Sequence, residues 1–185
     1  MGERVGRLFV GVAISDEVRD GLGEYLRATF GDRVPGRAVA PAAWHLTLRF
    51  LGDTDAEQHR RMAEGLRAMA GAPGFDLSFG GLGAFPRGAR ASVLWVGVEE
   101  GARELRALAA GAEEAARRAG FAAEEKPFSP HLTISRVNPP RDLRSEIAAA
   151  PPFGARMRVE SFVLFRSHLG GGPARYERME EFPLG

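Results

Sequence analysis

Apolar and polar positions alternate along this chain with two periods, and together they predict an ordered series of strands and helices. Arg7 to Ile14 is a nearly unbroken apolar run, the pattern of a buried strand. Ser15 can cap a helix that runs to about Phe30, with Val18, Leu22, Tyr25 and Leu26 at helical spacing. Residues 31–41 read as a loop or short extended piece punctuated by Pro35 and Gly36. Trp44 to Leu51 reads as a strand ended by Gly52-Asp53; Thr54 or Asp55 then caps a helix through about Met69. Phe75 to Leu82 alternates as a strand, Phe85-Pro86-Arg87-Gly88 is a turn, and Ala91 to Val98 is an apolar strand. A third helix spans Gly101 to Arg118. A strand follows from His131 to Val137, broken by Pro139-Pro140, then a short helix from Asp142 to Ala149. The last strands are Met157 to Arg166 and Tyr176 to Phe182, joined by a loop around Gly170-Gly171-Gly172.

The two halves of this series look alike. The order predicts a pseudo-duplicated α+β fold, with two antiparallel-rich sheets facing a central cleft and the helices outside. No linker is long or polar enough to part independent units, so residues 1–185 are expected to form a single bilobal domain.

Composition narrows the partners. Net charge is +1, so the chain is not a strongly basic nucleic-acid binder, and any RNA contact has to come from a local patch. Nearly all the basic residues are Arg, with Lys126 the single Lys; the bulk of Ala, Gly and Arg is explained by a GC-rich genome. Cys is absent, which rules out disulfides, thiolate nucleophiles and Cys-ligated metals and fits a reducing cytoplasm. The apolar run Leu8 to Ile14 is too short to span a bilayer, so no membrane contact is expected. A monomer is expected.

The chemistry rests on a repeat. His45-Leu46-Thr47-Leu48 and His131-Leu132-Thr133-Ile134 share the order His, aliphatic, Thr, aliphatic. In a strand this sends His and Thr to one face and the aliphatic residues to the other. With four His and four Thr in the chain, two such coincidences arise by accident in roughly three chains per thousand. Two facing strands of this kind bring together two imidazoles and two hydroxyls. A neutral imidazole takes a proton from water, an imidazolium gives one to a leaving alkoxide, and Thr hydroxyls can donate to non-bridging phosphate oxygens.

The chain resembles the two-histidine phosphoesterases through this tandem motif, of the form His-x-Thr-x. The flanking pieces resemble one branch, the bacterial and archaeal RNA 2′,3′-cyclic phosphodiesterases, also called the 2′-5′ RNA ligase family. Those pieces are Arg7-Leu8-Phe9-Val10, Trp44 to Gly52, Phe85-Pro86 with Val93-Leu94-Trp95-Val96-Gly97, Phe128 to Arg136, and Val163-Leu164-Phe165-Arg166-Ser167. The resemblance implies a bilobal fold with both motifs lining the cleft, and hydrolysis of RNA 2′,3′-cyclic phosphate ends to 2′-phosphomonoesters without metal or cofactor. It implies His45 as proton donor and His131 as proton acceptor, with possible reverse 2′-5′ RNA ligation. Thr47, Thr133 and Arg136 are the implied substrate-binding residues. The substrate could be tRNA fragments, other RNA ends or small cyclic nucleotides.

The residues leave some points open. Arg136 lies at an odd offset from His131 and needs a bulge or a strand end to enter the cleft. Arg49 shares the His45 face if the strand stays regular, and Phe50 then faces the core with Leu46 and Leu48. Trp44 and Trp95 are read as core. His59 is read as solvated on its helix and His168 as part of a surface loop. Two other functions compete: an RNA- or nucleotide-binding module with little catalysis, and a metal-dependent hydrolase using both motif His as ligands, for which neither motif offers a carboxylate or Cys partner.

Overall fold

The fold is that of a computed structural model, in which residues 3–168, 170 and 172–185 are described. Strand β1 (Arg4–Ala13) leads into helix α1 (Asp16–Phe30), whose first turn is capped by the Ser15 hydroxyl accepting from the Val18 amide at 3.2 Å. A two-residue strand β2 (Arg37–Ala38) precedes β3 (His45–Asp55). Helix α2 (Ala56–Arg67) opens on a capping box between Asp55 and Gln58. Strands β4 (Phe75–Phe85) and β5 (Ala91–Val98) form a hairpin, followed by helix α3 (Ala102–Arg118). The chain closes with β6 (His131–Arg141), α4 (Arg144–Ala149), β7 (Arg156–Val159), β8 (Ser161–His168) and β9 (Arg175–Pro183).

The strands join in the order β7-β4-β5-β6-β3-β1-β8-β9, with β2 paired to β6, and every pairing is antiparallel. The order is nearly a palindrome about the β6–β3 junction: β6 corresponds to β3, β5 to β1 and β4 to β8. The α+β class and the antiparallel pairing are as the sequence predicts, and the two expected sheets are halves of one continuous sheet. The two half-sheets meet along one seam, where the pairing of β3 with β6 is a single residue pair, Leu46 with Leu132.

The helix side of the sheet carries the main core. Leu8, Val10 and Val12 of β1 pack there with Val18 and Leu22 of α1, Leu66 of α2 and Leu105 of α3. The other face of β1 is apolar too: Phe9 joins Val163 and Phe165 of β8 in a separate small cluster on the cleft side. This double burial is why β1 reads as a continuous apolar run.

Several boundaries differ from the sequence reading: β1 begins at Arg4, and β4 runs past Leu82 to Phe85, which pairs with Val93 before the turn. Gly52-Asp53 does not end β3, which continues to Asp55 because Gly52 adopts a positive φ of 74° opposite Leu8 while the ladder with β1 goes on. Pro139-Pro140 does not break β6, which runs to Arg141; both prolines are exposed and their missing N–H groups leave no ladder bond unmade there. Met157 to Arg166 is two strands, since β7 pairs with β4 while β8 pairs with β1 and β9. Of the predicted glycine-rich loop, Gly171 lies outside the described residues.

Candidate active site

Both motif strands carry a bulge at the same place. In β3 the partners of β1 step from Gly11↔Thr47 to Val10↔Arg49, leaving Leu48 as an extra residue. In β6 the partners of β5 step from Trp95↔Thr133 to Leu94↔Ser135, leaving Ile134 as the extra one. A bulge shifts the face that later side chains occupy. Leu48 and Arg49 are therefore both buried, as are Ile134 and Ser135, and the fifth residue after each His turns to the same side as the His.

Arg136 consequently enters the cleft, which resolves the parity problem posed by its offset. The same displacement overturns two readings in β3. Phe50 is 57% exposed and lines the cleft rather than the core. Arg49 is 9% exposed on the opposite side, where its guanidinium pairs with Glu113 and donates to the carbonyls of Phe50 and Ala122. Arg49 is thus a satisfied structural ion pair, out of reach of a ligand in the cleft.

The two imidazoles are oriented alike. His45 Nδ1–H donates to the Ala43 carbonyl at 2.8 Å, and His131 Nδ1–H donates to the Ser129 carbonyl at 2.7 Å. Each bond fixes the tautomer and leaves Nε2 without the ring proton. His45 Nε2 lies 2.7 Å from the Thr47 hydroxyl. Aromatic rings wedge both: Phe9 and Tyr176 stand 4.7 and 5.0 Å from the His45 ring, and Phe85 stands 4.9 Å from the His131 ring. Trp95 lies opposite Thr133, beside His131, and is half-buried outside the main core, whereas Trp44 is core as read. The Trp95 indole needs Gly83 beneath it, since a Cβ there would come within 2.1 Å of the ring.

His45, Thr47, His131, Thr133 and Arg136 border one hollow of about 530 Å³. Burial among aromatic rings lowers the pKa of His45 to about 4, against a smaller upward pull from the Ala43 carbonyl and a further downward push from His131. Burial also lowers that of His131, and the Arg136 charge adds to the lowering. With no ligand present, both rings are therefore neutral at pH 7. Tyr176 moves the other way, its phenol raised by burial, and stays a hydroxyl donor.

Two cleft residues escaped sequence reasoning. Arg37 of β2 stands directly opposite Arg136 of β6, and both line the hollow. Like charges paired across strands are unfavourable unless an anion lies between them. Neither has a carboxylate partner among the ion pairs of the described residues. Gly36 permits this approach: its φ is 80° and a Cβ would lie 2.5 Å from the Arg136 carbonyl oxygen. Tyr176 comes from the last strand, a register no local pattern encodes. His59 is off the cleft on α2, and His168 bonds Glu177 at 2.8 Å at the end of β8. Among the described residues no three His, Asp or Glu side chains gather as a metal site would require.

Known proteins share this architecture. An Archaeoglobus fulgidus protein named RNA 2′,3′-cyclic phosphodiesterase is 36% identical over 88% of this chain and 92% of its own length. An Escherichia coli protein of the same name is 31% identical over 96% of each. The crystal structure of E. coli LigT complexed with 3′-AMP matches with a TM-score of 0.82 and 30% identity, covering 98% of this chain and 99% of that one. The family model of the 2′-5′ RNA ligase superfamily matches residues 16–171. From motif strands, cleft and relatives alike, the chain belongs to the 2′-5′ RNA ligase superfamily.

Proposed function

We propose that this protein hydrolyses the 2′,3′-cyclic phosphate at RNA ends to a 2′-phosphomonoester, using His45 and His131 as acid and base. The observation that carries this reading is the pair of Nε2 atoms, each freed by an Nδ1–H bond to a carbonyl, bordering one hollow with two Thr and two Arg. The activity for which the relatives are named supports it.

In the proposed reaction, His131 Nε2 takes a proton from water as its oxygen attacks phosphorus. The bond from phosphorus to O3′ breaks, and His45 Nε2–H protonates the departing oxygen. Thr133 and Thr47 donate to the non-bridging oxygens, and the Arg136 and Arg37 charges balance the growing negative charge. Microscopic reversibility allows the same groups to join ends held together in the cleft through a 2′-5′ bond.

His45 has to be charged for this role, yet burial keeps it neutral in the empty cleft. A bound phosphate supplies the missing counter-charge: an anion beside a partly desolvated imidazole raises its pKa. Binding then carries a proton onto His45, and the Thr47 hydroxyl turns from Nε2 to the phosphate. The depressed pKa also favours a second reading with the roles exchanged, His45 as base and His131 as acid.

The test uses an oligonucleotide ending in 2′,3′-cyclic phosphate, with excess chelator. The expected product is the 2′-phosphate; a 3′-phosphate, or loss of turnover with chelator, refutes the mechanism. A substrate with sulfur in place of O3′ needs no acid. It should restore turnover to His45→Ala and not to His131→Ala, and the reverse pattern would exchange the roles. Retained RNA binding with no turnover by the wild type would favour a binding module.

A further inference from the structure

A second hollow, of about 820 Å³, opens where β1 begins and β8 ends. Its lining includes Arg4, Arg7, Arg166, His168 and Arg175. Pro173 borders both this hollow and the catalytic cleft, so the two adjoin across the segment that enters β9. Arg7 lies two residues along β1 from Phe9, whose ring packs against His45. The β1–β8 ladder is regular from Arg7 to Gly11. Arg7 and Phe9 therefore point to the same side, one strand repeat of about 7 Å apart.

The charge here is concentrated. Arg4 pairs with Asp53, Arg166 meets Glu177 at 3.4 Å, and His168 meets the same Glu177 at 2.8 Å; neither carboxylate lines the hollow. Arg7 and Arg175 have no carboxylate partner among the ion pairs of the described residues. Arg166 Nε is buried with no hydrogen-bond partner among the described residues. A chain of net charge +1 has thus gathered four guanidinium groups around one open space. Among the described residues no Phe, Tyr or Trp lines it, so it offers forks for phosphate and no large aromatic platform for a base.

We propose that this hollow is a backbone subsite that holds the phosphate groups just upstream of the reacting RNA end. The inference rests on the phosphodiesterase reading above and adds the direction in which the strand leaves the cleft. Contacts of this kind position a strand without reading its sequence. The site therefore favours an oligonucleotide over a mononucleotide and is indifferent to the bases.

The double variant Arg7→Ala/Arg175→Ala tests it against two substrates, an oligonucleotide ending in 2′,3′-cyclic phosphate and a 2′,3′-cyclic mononucleotide. The expected result is a fall of about tenfold or more in kcat/KM for the oligonucleotide, with the mononucleotide unchanged. The slope of log kcat/KM against log salt for the oligonucleotide should flatten by about 0.7 for each phosphate left without its guanidinium. Equal values for variant and wild type on the oligonucleotide, or equal losses on both substrates, overturn the subsite. A wild type that turns over both substrates equally well overturns it as well, while leaving the activity standing. If the wild type turns over neither substrate, the activity reading fails separately. Binding of a labelled oligonucleotide with a 2′-phosphate end then decides the subsite: affinity that the double variant leaves intact overturns it, and a salt-dependent loss supports it.

Discussion

In the proposed mechanism the protonation of His45 controls when the cleft works, and the productive free form carries one proton on the pair. With His45 lowered to about 4 and His131 lowered less strongly by the same burial, that singly protonated population drains away once the pH exceeds the His131 value. We expect kcat/KM to fall about tenfold per unit as pH rises above about 6.5, while kcat holds to higher pH because bound phosphate raises His45. Steady-state kinetics from pH 5 to 9 check this; a kcat/KM that climbs through that range would contradict it. The paired arginines give a second expectation. Arg136→Ala and Arg37→Ala should each lower kcat/KM about tenfold or more without lowering the thermal midpoint, because each removal relieves a cross-strand repulsion. Turnover and melting curves on the same samples test the two halves of that statement.

Strands with identical motifs still need their neighbours to decide where each side chain points. The faces of His45, Thr47, His131 and Thr133 follow from simple alternation, and so they are legible in the sequence. Arg49, Phe50 and Arg136 lie just past the bulges, and a bulge belongs to the register of two strands, not to either alone. Regular alternation therefore sent Phe50 to the core and left Arg136 undecided. Arg37 reaches the cleft through the long-range pairing of β2 with β6, and Tyr176 through the register of the β8–β9 hairpin, and neither register is signalled by a local pattern. The bulge in β3 makes a prediction of its own. Arg49→Met leaves Glu113 without its cation and two carbonyls without a donor. It should cost about 2–4 kcal/mol of stability while leaving the turnover of the folded fraction nearly unchanged. Urea denaturation and an active-site titration separate this from the Arg136→Ala outcome.

The molecule as a whole stores some of its acid sensitivity in the site. Between pH 6.5 and about 4 the unfolded chain protonates His45 while the folded one resists it. The unfolded state then binds more protons, so stability rises with pH across this window and is lost as pH falls through it, by at most about 3 kcal/mol. His45→Asn should flatten that dependence, giving a smaller drop in urea midpoint from pH 7 to pH 4.5 than the wild type shows. The near-palindromic strand order was foreshadowed by the similar halves of the sequence, but the single-rung pairing of β3 with β6 was not, since nothing in either motif encodes how many rungs they share.

That single rung, Leu46 with Leu132, has a mechanical meaning. His45 and His131 are the immediate chain neighbours of the two leucines, so both imidazoles stand at the seam itself. Behind it α2 packs against α3, and one continuous core runs beneath both half-sheets. A change at Leu46 or Leu132 therefore shifts the two rings against each other without touching either ring directly.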